Sequence, residues 1–196
     1  MKVAVTGNIG SGKTEVIKFL LGLKFKCISS DKIIADLYKD SLTRKLILHK
    51  LNIPDDNFKK EIIERLPDTN FDRELKKTIY PYLYAKKKTI APKHQALIPT
   101  FYEIPLLFEE KLSKDFDLTI FIKADTFKRK KRVLARGVKD EYFDLMNKKQ
   151  LNQYQKELLA DHTITNNSSV LNLRLNIIKL LSCLLYTSDA ADDRGC

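Results

Sequence analysis

Eight residues near the start of the chain, Gly7-Asn8-Ile9-Gly10-Ser11-Gly12-Lys13-Thr14, match the pattern G-x-x-x-x-G-K-[ST] in full. The chemistry of such a run is phosphate binding. Glycines let consecutive backbone N–H groups turn inward around an anion, and a helix starting near Gly12 adds its positive N-terminal end. Lys13 supplies a mobile positive charge for the β and γ phosphates of ATP, and the Thr14 hydroxyl is a ligand for the accompanying Mg²⁺. Asn8, Ile9, Gly10, Ser11, Gly12 and Glu15 complete the expected nucleotide-binding surface. A second reactive group, Asp31, lies in Ser29-Ser30-Asp31-Lys32-Ile33. It falls where a second strand would end, the edge at which open parallel sheets place their ligands.

These residues need strands and helices to hold them. The β-branched run Lys2 to Thr6 reads as a buried strand ending at Gly7, and a helix is expected from Thr14 to Leu21 with Gly22 as its stop. Phe25 to Ser29 predicts a second strand. Helices are expected over Lys32–Tyr38, Ser41–Leu51 and Phe58–Leu66, and a long one from Asp72 that Pro81 must kink or divide. Ala96–Tyr102 predicts a third strand and Leu118–Lys123 a fourth, followed by a helix to Arg136. Asp140–Leu159 reads as a charged helical region, His162–Thr165 as a last strand and Val170–Leu181 as a closing amphipathic helix. Strands alternating with helices imply an α/β fold with a parallel sheet covered on both faces.

The 196 residues, 43% hydrophobic and 31% charged, suffice for one domain with a small inserted lobe. No apolar run approaches the roughly 18 residues of a membrane span, since Arg174 and Lys179 interrupt the most apolar stretch. Val3–Val5 is too short for a secretory signal, so a cytoplasmic location is expected. Net charge is +11, but 28 Lys and only 8 Arg are spread along the chain. That pattern argues for solvated surface, with no nucleic-acid partner and no membrane. Cys27, Cys183 and Cys196 are too few for a disulfide framework or a zinc cluster, and Cys27 is expected in the core. His49, His94 and His162 show no metal-ligand spacing. From Cys183 the composition changes abruptly to CLLYTSDAADDRGC. Cys183 to Asp192 resembles the translation of a transposon-end sequencing adapter, so residues 183–196 are expected to be a non-native tail. That tail carries a net −2, which leaves +13 on residues 1–182.

Beyond the phosphate loop, several motifs together resemble the dephospho-CoA kinase family over residues 1–182. Thr6–Thr14 matches the family's opening, and Ser29–Ile33 matches its D-A-D-x-I element with only the second Asp kept. Asp72-Arg73 resembles its D-R pair. Glu103-Ile104-Pro105-Leu106-Leu107-Phe108-Glu109 matches its [DE]-x-P-L-L-[FY]-E segment in full. Arg132 and Arg136 resemble the lid R-x-x-x-R, Gln150 a following Gln, and Ala160–Asn166 the late A-D-x-x-I-x-N element. Two departures stand out: Tyr80-Pro81 replaces a His-Pro pair, and Gly137 replaces an Asp.

The resemblance implies a P-loop kinase fold: a five-stranded parallel sheet flanked by helices, an acceptor lobe around residues 40–95 and a lid around 130–155. It implies transfer of the ATP γ-phosphoryl group to the ribose 3′-hydroxyl of dephospho-CoA, by a monomer or weak homo-oligomer. Lys13, Asp31 and Arg136 are then the catalytic candidates, Asp31 as base or hydroxyl-orienting group against the alternative of a plain helix cap. Arg132 and Arg136, four apart on an expected helix face, would meet the nucleotide phosphates, with Asn166 bordering the adenine. Arg73, Tyr80, Glu103 and Leu106 join Asp31 as acceptor-binding candidates. Thr14 is the expected Mg²⁺ ligand, with Asp31 and Glu103 acting through water; Glu103 and Glu109 read equally well as solvated rim residues. The competing readings are another small P-loop kinase for a nucleoside, nucleotide or shikimate-like acceptor, and a nucleotide switch. The switch lacks support because residues 1–182 contain neither an N-K-x-D nor a D-x-x-G motif.

Overall fold

The computed structural model describes residues 1–90 and 98–192. Five parallel strands form one sheet: β1 (Lys2–Thr6), β2 (Lys26–Ser29), β3 (Thr100–Glu103), β4 (Leu118–Lys123) and β5 (His162–Thr165), in the order β2-β3-β1-β4-β5. β1 is central, with Val3 opposite Phe101 on one side and Leu118 on the other. Successive side chains of a strand point to opposite faces, and both faces of β1 are buried. Val3 and Val5 pack against α1 (Lys13–Gly22) and α9 (Val170–Asp192) through Val16, Leu20, Leu173 and Ile177. Ala4 faces the other way, into a cluster with Ile28, Tyr102, Ile104 and Leu107. This two-sided burial is why the strands read as continuous apolar runs rather than alternating ones.

A helical lobe projects from the sheet. α2 (Ser30–Lys39), α3 (Ser41–Lys50), α4 (Phe58–Arg65) and α5 (Thr69–Ile90) enclose their own core of Ile47, Leu48, Leu51, Phe71, Leu75 and Ile79. α5 is one helix with Pro81 inside it, so the expected division does not occur. Phe71, Leu75, Ile79 and Leu83 form a buried stripe at four-residue spacing that continues across Pro81. Packing along that stripe outweighs the one hydrogen bond that proline removes. Residues 91–97, which include His94, the last part of the expected lobe and the start of the expected third strand, lie outside the described residues. Pro99 stands just before β3 rather than within its ladder.

Three shorter helices follow β4: α6 (Thr126–Leu134), α7 (Asp140–Lys149) and α8 (Gln153–Leu159). The expected single charged region is thus two helices. Asn152 begins the second with a reciprocal capping box to Gln155. α9 extends beyond the expected Leu181 to Asp192, and Cys183–Asp192 contains neither Gly nor Pro to stop it. Its buried core positions are Leu173, Ile177 and Leu181. Cys27 is half-buried against the sheet core rather than fully inside. No helix among the described residues is long and apolar enough to cross a membrane.

Candidate active site

β1 delivers the chain into the turn Gly7–Gly12, and α1 begins at Lys13. Gly10 has φ +78 and Gly12 φ +103, backbone conformations that favour glycine. A Cβ on Gly10 would stand 2.5 Å from the Arg129 carbonyl oxygen, and one on Gly12 2.3 Å from Asn166 Nδ2. The turn is packed as well as bent.

Its carbonyl groups are all engaged from the protein side. Lys13 Nζ donates to the carbonyls of Gly7 (2.8 Å) and Asn8 (3.3 Å). Arg129 Nη1 donates to Ile9 (3.1 Å), Arg132 Nη1 to Gly10 (3.5 Å) and Asn166 Nδ2 to Ser11 (2.8 Å). The Glu15 and Val16 amides take Gly12. In a trans peptide the C=O of one residue and the N–H of the next point in opposite directions. Holding the oxygens of Ile9, Ser11 and Gly12 in the protein therefore turns the amides of Gly10, Gly12 and Lys13 the other way, as a phosphate requires.

Arg129 is the anchor that sequence reasoning missed, because it sits in the cationic run Lys128–Lys131 that reads as solvated surface. It is 2% exposed. Its guanidinium also donates to Ala124 O, Asn147 Oδ1 and Thr126 Oγ1, tying loop, α6 and α7 together. A strap at the end of α7 docks on the same loop: the Ile9 amide donates to Gln150 Oε1 (2.8 Å), and Asn8 Nδ2 to the Leu151 carbonyl (2.9 Å). The Leu151 amide in turn donates to Glu109 Oε1 (2.8 Å), which pairs with the fully buried Lys156 (2.8 Å). Lys156 was equally invisible in a helix that looks charged throughout.

The expected site residues divide clearly. A cavity of about 420 Å³ between the loop, the helical lobe and α7 brings together Lys13, Asp31, Tyr80 and Leu106, with Ile9 and Gln150. Asp31 is not the cap of α2; Ser29 is, its Oγ accepting from the Lys32 amide. The Asp31 carboxylate is left for chemistry. Although it opens onto the cavity, protein atoms crowd it, and this desolvation pushes its pKa up; Lys13 opposes the shift and Glu103 adds to it. Burial likewise lowers the Lys13 ammonium to about 8, against the pull of Asp31 and Glu103.

Glu103 is 3% exposed, which overturns the reading of a solvated rim residue. Ser29 Oγ donates to its Oε2 at 2.6 Å, and Thr14 Oγ1 makes a long 3.4 Å contact with its Oε1. Glu109 is likewise no rim residue. Hydroxyl and carboxylate oxygens from Thr14, Glu103 and the neighbouring Asp31 are the donor set a hard divalent cation takes, so these residues fit Mg²⁺. No group of three or more His, Cys, Asp or Glu poised to hold a metal by themselves occurs among the described residues. A metal here would share its ligands with phosphate, as Mg²⁺ commonly does.

Three candidates fall elsewhere. Arg136 is exposed in the turn after α6, which ends at Leu134, so it shares no helix face with Arg132. Gly137, at φ +78, completes that turn. Arg73 is exposed and outside the cavity, whereas its neighbour Asp72 lines it. The Glu15 carboxylate pairs with Arg174 of α9 at 2.9 Å, and the buried Asn166 binds the loop through Ser11.

Among known proteins, residues 1–172 match the family model described as dephospho-CoA kinase. The dephospho-CoA kinase of Rickettsia conorii is 30% identical over 186 residues, covering 94% of this chain and 97% of the relative. Of solved structures, one from Thermus thermophilus has a TM-score of 0.79 at 22% identity, with 94% of this chain and 97% of that one covered. The dephospho-CoA kinase of Campylobacter jejuni has a TM-score of 0.59 at 21% identity, with 92% and 95% covered. These two structures bear on the fold alone, and that fold is the P-loop kinase fold.

The packing of the turn makes Gly10 a sensitive position. Gly10→Ala is expected to weaken ATP binding about tenfold or more, because the added carbon meets backbone rather than a movable side chain. Calorimetric titration with ATP, alongside circular dichroism to confirm the fold, measures this; unchanged affinity would mean the turn is not constrained as described.

Proposed function

The chain belongs to the dephospho-CoA kinase family, and from that premise we propose how its own residues transfer the γ-phosphoryl group of ATP to the ribose 3′-hydroxyl of dephospho-CoA, giving coenzyme A and ADP. The observation that carries the proposal is the meeting of Lys13 and Asp31 in one cavity, between the phosphate loop and a helical lobe large enough to hold an acceptor. Phosphoryl transfer has a loose transition state, so the protein's task is alignment and charge neutralisation rather than covalent chemistry.

The amides of Gly10, Gly12 and Lys13 receive the nucleotide phosphates, and the Lys13 ammonium offsets the charge that builds on the β and γ oxygens. Binding phosphate also raises the Lys13 pKa, since the anion restores the partner that burial withholds. Asp31 accepts a hydrogen bond from the acceptor hydroxyl, orients its oxygen towards the γ-phosphorus and takes its proton on a carboxylate oxygen. The upward shift of its pKa makes it a better proton acceptor than an ordinary aspartate. Arg132, half-buried and already bonded to the Gly10 and Asn166 carbonyls, stabilises the loop from the protein side. Tyr80 and Leu106 form part of the acceptor's wall. Thr14, with Asp31 and Glu103 acting through water, would hold Mg²⁺, and the metal would supply charge neutralisation for the transfer. α3 to α5 serve as the acceptor lobe and α6 to α8 as the lid. Exposed Arg136 would reach the phosphates only by movement of the turn that carries it. A cytoplasmic enzyme acting as a monomer or weak homo-oligomer completes the proposal.

Mass spectrometry after incubation with ATP, Mg²⁺ and dephospho-CoA, with adenosine and shikimate as rival acceptors, is expected to show coenzyme A and ADP. Phosphorylation of a rival acceptor with no coenzyme A formed would overturn the substrate assignment. For Asp31 the sign follows from its role: the base works only when ionised, so activity falls as pH drops through a pKa raised above the ordinary aspartate value. Asp31→Asn is expected to lower kcat about a hundredfold and to abolish that acid limb. Retention of wild-type kcat, or of the same acid limb, in the variant's pH–rate profile would assign the proton elsewhere.

A further inference from the structure

The part of the cavity lined by α5 and α7 is charged in a way the chemistry above does not use. There the Asp72 carboxylate on α5 is divided between two ammonium groups. Oδ1 lies 2.8 Å from Lys149 Nζ on α7, and Oδ2 lies 3.4 Å from Lys76 Nζ one turn further along α5. Lys76 also reaches Glu110 at 2.8 Å. Asp72, Lys76, Tyr80 and Lys149 all line the cavity.

A single anion spanning two lysines from facing helices is the arrangement that bridging phosphate oxygens adopt. The carboxylate can yield its place. Its side chain and those of Lys76 and Lys149 remain 20%, 33% and 25% exposed, so water reaches these ion pairs and weakens them. A phosphate group brings more charge and more acceptor oxygens, and ammonium groups bind it as point charges. Arg73, the cation expected from sequence to fill this role, lies outside the cavity. Beside the lysines the wall turns apolar through Ile34, Ile62, Leu66 and Leu75, suiting an uncharged portion of the same ligand.

An acceptor that places a hydroxyl at Asp31 and an anion at Lys76 and Lys149 must carry both groups along one molecule. Resting on the reading of dephospho-CoA as the acceptor, we propose that Lys76 and Lys149 form the subsite for its diphosphate. Asp72 holds the two ammonium groups at bridging distance until the phosphates displace it. The pair thereby selects acceptors that carry a diphosphate over bare nucleosides, and links α5 to α7 when the acceptor is bound.

Equilibrium binding tests the subsite independently of turnover. Dephospho-CoA and adenosine, which lacks the diphosphate, are titrated into wild type, K76Q and K149Q with the nucleotide site saturated by a non-hydrolysable ATP analogue. Each substitution is expected to raise the Kd for dephospho-CoA about tenfold, to flatten its salt dependence and to leave the Kd for adenosine within twofold. K149R, which keeps the charge, is expected to restore most of the affinity. An unchanged Kd for dephospho-CoA, or a parallel loss for adenosine, overturns the proposal, the latter because it would mean the lysines only shape the cavity. Lysine-dependent binding without coenzyme A formation would instead count against the proposed reaction and leave the subsite standing.

Discussion

The structure depends on keeping six consecutive carbonyl oxygens, Gly7 to Gly12, turned into the protein. The loop's own side chain Lys13 holds two, the first turn of α1 holds one, and the remaining three are held by Arg129, Arg132 and Asn166 from distant parts of the chain. A concave row of amides has no intrinsic stability, since the same peptide units could rotate to satisfy either end in water. Buried partners on the oxygen side remove that freedom. Losing one would leave a buried carbonyl unsatisfied, at a cost of about 1–3 kcal/mol.

The other elements follow from this constraint. The central strand β1 supplies a rigid approach to the loop, and β4 and β5 place Ala124, α6 and Asn166 where they can reach it. α7 and α8 are bound to the loop through Asn8, Ile9 and Gln150, and through the buried Lys156–Glu109 pair that fixes Leu151. On the far side β2 and β3 bring Ser29 and Glu103 together, so that the cap of α2 also steadies a carboxylate near Thr14. Asp31, freed from capping, faces the cavity.

Much of this was legible in the sequence because it depends on local chemistry. The phosphate loop needs glycines where the backbone turns left-handed, and Gly10 and Gly12 are there. β1, β3 and β4 are short buried runs, and the alternation of strands with helices implied the parallel sheet that is found. Long-range pairing was not legible. Arg129 looks like one cation among five between Lys128 and Arg132, yet it alone is fully buried, because Val133 one turn later sets the buried face of α6. Lys156 is hidden differently: it is the buried residue of α8, while Tyr154, Leu158 and Leu159 of that helix are exposed. Arg136 misled by its spacing: four residues define a helix face only while the helix lasts, and α6 ends two residues earlier. Pro81 misled in the opposite sense, since the buried stripe of α5 outweighs a local rule.

The constraint on the loop carbonyls is tested most directly by the ATP affinity of Arg129→Met, which keeps an unbranched apolar stem but removes the donor to Ile9. Measured calorimetrically at a temperature where the variant's circular dichroism matches wild type, its Kd for ATP is predicted to rise about tenfold or more. A Kd within twofold of wild type in the folded variant would contradict the account, because the amides would then hold their orientation without the anchor.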